Sequence, residues 1–206
     1  MEFKVEEMTE KPGDEIIEFL ADAYLESPLI IAAFSEDKKS RLECNRKLFK
    51  VAIDGGMLGG TLLRIKDNAK TIGLLHYAAS PYCSPPPEAQ MKLGLLMSKS
   101  LGDAGLRVAE WFMTWSKVHP NGSHWHLGPY AISRTYRGFG LGGMLMREYC
   151  LRMDDANVAG YLETDYPQNV TYYHKFGFLV KLEYQVICIM NWFMERSPNA
   201  SERTSD

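Results

Sequence analysis

The chain has 206 residues, of which 46% are hydrophobic and 24% charged, and its formal net charge is -3. This length supports one well-buried core and is short for two, so we expect one domain over residues 1–196 and a flexible polar tail over 197–206. A slightly acidic chain without a basic block lacks the charge that binding to a nucleic-acid backbone requires. Nucleic acid is therefore not an expected partner.

The four cysteines lie far apart in the sequence, and none forms a C-x-x-C pair. Neither a zinc site nor a disulfide framework is predicted, and free thiols are typical of a reducing compartment. The charged stretch M-E-F-K-V-E-E-M lacks an apolar signal core, and the longest apolar runs are too short to cross a bilayer. We expect a cytoplasmic protein with no membrane partner. The cysteines are Cys44, Cys83, Cys150 and Cys188.

The N-terminal segment predicts a short strand and two helices. Phe3 and Val5 alternate with charged residues, which is typical of a half-buried strand. Pro12 and Gly13 then mark the start of a helix. A second helix is expected over 36–52. The apolar stripe of the first helix consists of Ile16, Ile17, Leu20, Ala21 and Tyr24.

A hairpin and a loop are expected next. Strands over 61–65 and 71–77 flank a turn-rich connection. The segment Pro81–Gln90 contains four prolines, and proline cannot donate a hydrogen bond to a sheet. We expect this segment to be a loop, with a lid as one role for it.

An amphipathic helix is expected over 101–118, because apolar residues recur at helical spacing. Its aromatic stripe of Trp111, Phe112 and Trp115 is interpreted as core. A strand over 124–132 follows, and Gly128-Pro129 interrupts it. This interruption predicts a bulge or a splayed strand end.

The glycine-rich stretch R-T-Y-R-G-F-G-L-G-G, from Arg134 to Gly143, fits two phosphate-loop patterns, G-x-G-x-x-G and R-x-x-G-x-G. The first belongs to dinucleotide-binding folds, and Glu163 lies where such folds carry a ribose-binding acid. That interpretation is rejected because Ser133 to Arg137 separate the strand from the first glycine, and too little chain follows for a doubly wound sheet. A nucleotide triphosphate loop is also rejected, because no Lys-Ser or Lys-Thr follows the glycines. The remaining interpretation is a strand, a glycine loop and a helix N-terminus that binds a pyrophosphate.

After this loop, the pattern predicts a helix, a short strand over 161–164 and a further helix over 168–176. In the last predicted strand, 178–186, apolar residues alternate with mostly polar ones. Such alternation is typical of a half-buried antiparallel strand.

Two segments of the C-terminal half resemble the GCN5-related N-acetyltransferase (GNAT) superfamily. The run A-I-S-R-T-Y-R-G-F-G-L-G-G-M-L-M, from Ala131, is similar to its acyl-CoA-binding motif. The segment from Tyr161 to Phe178 is similar to the part that closes its fold. The resemblance implies an α/β chain of the mixed α+β kind, with a central, mostly antiparallel mixed sheet that is splayed near its middle and flanked by helices.

The resemblance also implies acetyl-CoA as cosubstrate, bound between the strand that ends at Ile132 and the strand that ends near Thr164. Backbone groups of the first strand would contact the pantetheine arm, and the glycine loop would hold the pyrophosphate. The implied cofactor-binding residues are Tyr130, Ala131, Ile132, Arg137, Gly138, Phe139, Gly140, Leu141, Gly142, Asn169 and Tyr173.

For catalysis, Tyr173 matches the family tyrosine that protonates the departing thiolate, and the base that accepts the amine proton is Glu163 or His126. Glu110 is a weaker candidate. His124 and His126 share a strand face, but no ligand spacing joins them to an Asp or Cys, so no metal is predicted.

The predicted function is transfer of acetyl from acetyl-CoA to a primary amine of a small molecule, by direct transfer in a ternary complex. A protein or peptide acceptor is the alternative among enzymes, and a non-catalytic acyl-CoA sensor is the alternative outside them. A homodimer remains open.

Overall fold

Seven strands form one mixed sheet in this computed structural model, which describes residues 3–34, 37–83 and 87–199. The order across the sheet is β1-β2-β3-β4-β5-β7-β6, and only β4 and β5 are parallel neighbours. The predicted fold class is confirmed. The strands are β1 Glu6–Glu7, β2 Thr61–Asp67, β3 Lys70–Ala79, β4 His124–Ile132, β5 Ala159–Thr164, β6 Leu179–Val186 and β7 Ile189–Arg196.

Helices pack on both faces of the sheet. Leu63 and Leu75 belong to a core that α6 completes, whereas Leu62 and Leu74 pack with α1 on the opposite face. Within the described residues, no helix is long and apolar enough to cross a membrane. The helices are α1 Asp14–Ala23, α2 Pro28–Ala33, α3 Lys38–Asp54, α4 Pro87–Leu101, α5 Asp103–Val118, α6 Leu141–Asp155 and α7 Pro167–His174.

Two helices were missed or misplaced in the expectations from sequence. The segment Pro81–Gln90 is not a loop throughout, because α4 begins at Pro87; residues 84–86 lie outside the described part. The six-residue helix α2 was not predicted, and it also begins with a proline, Pro28. Proline suits the first turn of a helix because the N–H it lacks has no partner there.

The predicted last strand is not the last one. β7 follows β6 and lies between β5 and β6, so β6 is an edge strand. Of the alternating apolar residues, Phe178 and Val186 are buried, whereas Leu182 and Tyr184 are 39% and 50% exposed. The tail predicted over 197–206 lies mostly outside the described residues.

The predicted interruption in β4 is a bulge followed by a splayed end. Leu75 of β3 faces Tyr130, and Tyr77 faces Leu127, so one β3 residue opposes Gly128 and Pro129 together. That residue is His76, whose ring nitrogens lie 2.6 Å from the Gly128 carbonyl oxygen and 2.8 Å from that of Gly59. Pairing of β4 with β5 ends at Leu127 and Leu162, so the two strands part beyond the bulge.

Candidate active site

A cavity of about 1280 Å³ opens where β4 and β5 part. The glycine loop and the aromatic stripe of α5 both line it. The stripe is thus partly core, since Trp111 is 8% exposed, and partly cavity wall. Of the site residues predicted from sequence, all line the cavity except Phe139, whose side chain is 70% exposed.

The glycine loop offers backbone donors to this cavity. Gly140 is the N-cap of α6, with φ +78, a conformation that side chains disfavour, and no side chain caps the helix. The first N–H groups of a helix have no partner within it and attract anions. Gly142 lies two residues beyond, in the first turn, and a Cβ there would be 2.5 Å from the Tyr130 hydroxyl. Within the described residues, the loop is therefore an uncapped helix start with no room for a side chain at Gly142.

Arg137 reaches back along the strand. Its guanidinium donates to the carbonyl oxygens of Ile132, at 3.4 Å, and of Ala23, at 3.3 Å. It therefore positions a positive charge beside the splayed end of β4, at the mouth of the glycine loop.

Tyr24, at the end of α1, forms hydrogen bonds with both backbone polar groups of Tyr130. Its hydroxyl donates to the Tyr130 carbonyl oxygen at 3.1 Å and accepts from the Tyr130 N–H at 2.9 Å. Burial raises the Tyr24 pKa, so the hydroxyl stays protonated. Sequence reasoning treated Tyr24 only as part of an apolar stripe. It serves the splayed strand as the hydrogen-bonding partner that β5 no longer provides.

Tyr173 lies beside the splayed strands, with its ring buried against Tyr130, Tyr172 and Phe178. Its neighbour Tyr172 shares a 2.7 Å hydroxyl hydrogen bond with Tyr130. Within the described residues the Tyr173 hydroxyl has no hydrogen-bond partner. Burial raises the Tyr173 pKa well above its usual value. The hydroxyl therefore stays protonated at physiological pH.

Asn169 closes the same side of the cavity from α7. Its side-chain amide donates to the Thr164 hydroxyl at 3.1 Å, at the end of β5. The amide is thus held at the end of the strand that forms the second wall of the cleft.

His126 and Glu163, both proposed as bases from the sequence, are hydrogen-bonded to each other. His126 Nε2 lies 2.7 Å from a Glu163 carboxylate oxygen, and the Glu163 side chain is only 3% exposed. Although burial opposes it, the Glu163 carboxylate raises the pKa of His126 to about 10. The second carboxylate oxygen, Oε1, is buried and has no hydrogen-bond partner within the described residues. Glu110, the weaker candidate, is exposed on α5 and does not line the cavity.

One segment of the chain matches a known protein family. Residues 104–178, from α5 through the glycine loop to Phe178, match the acetyltransferase (GNAT) family. The resemblance to the GNAT family is confirmed. A comparison with curated protein sequences gives no match.

Solved GNAT structures share the whole architecture. One is the histone acetyltransferase HPA2 and related acetyltransferase from Corynebacterium glutamicum ATCC 13032, at 19% identity and TM-score 0.72, covering 98% of this chain and 99% of that chain. A Drosophila melanogaster polyamine N acetyltransferase has 11% identity and TM-score 0.61, covering 94% and 100%. The NatC complex bound to Gag peptide and CoA has 15% identity and TM-score 0.52, covering 96% and 99%. At these identities the likeness shows the GNAT fold alone.

Sequence reasoning missed a second group of side chains in this GNAT fold, next to His126. The Cys83 sulfur lies 3.6 Å from His119 Nε2 and 3.5 Å from His124 Nε2. Although burial opposes it, the neighbouring rings of His119, His124 and His126 lower the pKa of the Cys83 thiol to about 4. Sequence spacing gave no signal for this group, because Cys83 precedes His124 by 41 positions and comes from a different strand end.

Proposed function

We propose that this chain is an acetyl-CoA-dependent N-acetyltransferase that transfers acetyl directly to a primary amine in a ternary complex. The observation that carries the proposal is the parting of β4 from β5 just beyond Leu127 and Leu162. It opens one cavity that reaches both an uncapped helix start and a buried acid-base pair. We place this activity in a single domain over residues 1–196 of a cytoplasmic protein.

The cofactor-binding residues would be those of the cleft wall and the glycine loop. The N–H groups that begin α6 suit a pyrophosphate, Arg137 adds positive charge, and Gly142 keeps the approach free of a side chain. Backbone groups of β4 beyond the bulge and the Asn169 amide are available to the pantetheine arm. Bound acetyl-CoA would supply the thioester, and a pantetheine amide that takes the Tyr130 backbone must displace the Tyr24 hydroxyl.

Glu163 is the proposed base. His126 and Glu163 share one proton in their 2.7 Å hydrogen bond. A protonated His126 therefore cannot accept a second proton from the amine. Glu163 retains the unpartnered oxygen Oε1. His126 is then a positioning residue that fixes the orientation of the carboxylate.

Tyr173 is the proposed acid. Attack of the neutral amine on the thioester carbonyl forms a C–N bond, and collapse of the tetrahedral intermediate breaks the C–S bond. The leaving thiolate takes a proton from the Tyr173 hydroxyl, which is neutral and faces the cleft.

A small amine is the proposed acceptor. The cavity is also lined by Trp111, Phe112 and Trp115, which form an aromatic wall suited to a compact organic amine. The similar Drosophila enzyme is named for polyamines, which supports this choice, whereas the NatC complex bound to a peptide keeps a peptide acceptor as the alternative.

The test is an amine and peptide panel with acetyl-CoA, in which free thiol release reports turnover and calorimetry reports binding. We expect turnover with at least one small primary amine. Turnover with peptides alone would support the alternative acceptor. Tight acetyl-CoA binding without turnover on any acceptor would support a sensor, and no acetyl-CoA binding would refute the proposal.

A further inference from the structure

Three side chains from separate segments converge beside the cavity and form what we call the Cys-His cluster: Cys83, His119 and His124. Cys83 follows β3, His119 caps the end of α5, and His124 begins β4. Their ligand-type atoms all lie within 4.8 Å of one another. The three separations are 3.6 Å, 3.5 Å and, between the two Nε2 atoms, 3.3 Å.

These separations match the edges of a tetrahedral zinc site. With Zn–S near 2.3 Å and Zn–N near 2.0–2.1 Å, tetrahedral angles give S···N edges of about 3.6 Å and an N···N edge of about 3.3 Å. A single position therefore exists at which a cation is at bonding distance from all three atoms of the cluster.

The protonation of the rings points to the same conclusion. His124 Nδ1 lies 2.7 Å from the Gly122 carbonyl oxygen, and His119 Nδ1 lies 3.2 Å from that of Pro120. A carbonyl oxygen can only accept, so both Nδ1 atoms carry protons, and in neutral rings both Nε2 atoms present lone pairs. The two Nε2 atoms, 3.3 Å apart, are then the ring nitrogens available to a cation. A ring nitrogen that donates to a carbonyl while its partner nitrogen binds metal is the usual arrangement around metal-bound histidines.

The surrounding structure holds the cluster in place. The Ser80 N–H donates to the His124 carbonyl oxygen at 2.8 Å, and the His124 N–H donates to the Ser80 hydroxyl at 3.1 Å. The Tyr161 ring packs edge-on against both histidines, at centroid distances of 5.2 Å and 5.5 Å. The ligands are thus ordered by the fold itself.

We propose that Cys83, His119 and His124 bind one zinc ion, with solvent from the cavity as the fourth ligand. A thiolate with two imidazoles suits Zn²⁺ and disfavours Mg²⁺ or Ca²⁺, which prefer oxygen ligands. Cys83 and His119 line the cavity, so the open position faces it. The ion joins the turn after β3, the end of α5 and the start of β4, and so fixes the strand that carries His126.

The test uses the full chain, freed of any polyhistidine tag, incubated with zinc and desalted before elemental analysis. We expect about one zinc per chain, and Co²⁺ in place of zinc should give tetrahedral ligand-field bands together with a thiolate charge-transfer band. Cys83→Ser should abolish the charge-transfer band and weaken zinc binding by more than the roughly 10–100-fold that loss of an outer-shell partner costs. Cys188→Ser, at an exposed cysteine, is the matched control and should retain both signals.

His119→Gln is a second variant, so that misfolding of one variant leaves the other informative, and circular dichroism checks both. Either folded variant binding zinc as tightly as the parent would overturn the proposal. A parent chain that retains no zinc and gives no Co²⁺ spectrum would also overturn the proposal. In that case Cys83 would be a thiolate paired with imidazolium alone, and its rapid alkylation would show this. None of these readouts involves acetyl-CoA, so the zinc site and the proposed acetyltransferase activity stand or fall separately.

Discussion

The two ends of β4 are built from different chemistry. Beyond the bulge, Tyr130 to Ile132 and the glycine loop present backbone groups, and what matters is the absence of side chains at Gly140 and Gly142. Before the bulge, the strand pairs with β5 and presents side chains, His124 and His126, toward partners from other segments. One end is suited to holding a ligand, and the other to moving protons or binding a metal.

The end of β4 beyond the bulge could be predicted from the sequence, whereas the partners of the other end could not. A backbone site needs consecutive residues of restricted type, so it leaves a local motif. A side-chain site needs only that distant positions meet, so it leaves scattered residues that no spacing rule connects. The difference also predicts that substitutions at the two ends will separate rate from affinity, as the following variants test.

The largest expected effect is on rate. Tyr173→Phe removes one hydroxyl and keeps the ring packed, so turnover should fall on the order of a hundredfold or more while acetyl-CoA affinity barely changes. Steady-state kinetics at saturating amine and calorimetry on the same preparation measure both. Tyr172→Phe is the adjacent control and should lose far less rate. Parental turnover in Tyr173→Phe would mean that the thiolate leaves unaided or is protonated elsewhere.

Glu163→Gln should lower turnover by about a hundredfold at low pH, with a smaller loss as pH rises. The carboxamide can still accept the His126 hydrogen bond but cannot take a proton. Unassisted loss of the amine proton is rarest at low pH, so the base matters most there. A pH–rate profile measures this, with Glu110→Gln, an exposed carboxylate on α5, as control. A flat, parental profile would assign the role to His126 or water.

At the other end of β4 the expected effect is on affinity. A Cβ at position 142 would lie 2.5 Å from the Tyr130 hydroxyl, and the two methyl groups of Gly142→Val add further bulk there. The substitution therefore blocks the cavity side of α6. Acetyl-CoA binding should weaken roughly tenfold or more, since backbone donors at the helix start become obstructed. Calorimetry provides the measurement. Unchanged affinity in a folded Gly142→Val protein would contradict the role of the loop.

The smallest effect is expected one residue further on. A Cβ at Gly143 meets only the end of the flexible Arg147 side chain, at 3.1 Å. Gly143→Ala should leave affinity within about twofold and raise helix stability by up to about 1 kcal/mol. Thermal unfolding and calorimetry test both expectations. A loss comparable to that of Gly142→Val would show that the loop responds to any substitution, not to a blocked cavity face.

Much of the fold followed from local patterns. The bounds of β4 matched, and the Gly128-Pro129 interruption predicted a bulge or a splayed end, both of which are present, because glycine permits unusual backbone angles and proline cannot donate to the sheet. The place of β7 could not be predicted in this way. Its insertion between β5 and β6 depends on which edge is free, and a strand's own residues do not encode that.

The site divides in the same manner. The glycine loop and Tyr173 could be placed from motif register, and the structure puts both on one cavity. Tyr24 could not be placed in the site, because an aromatic residue in an apolar stripe is interpreted as core. Its hydroxyl contacts Tyr130 only because α1 packs across β4. Cys83 could not be placed in the site either, because α4 and α5 separate it in the sequence from its partners His119 and His124.

The edge strand β6 bears on how the folded protein behaves at high concentration. Within the described residues β6 pairs on one side only, which leaves a row of amide groups open toward other molecules. Leu182 and Tyr184 are exposed there, with Lys181 and Glu183 between and beside them. Charged side chains along an edge strand disfavour its pairing with strands of other molecules, and Lys181 is of the residue type most often placed there.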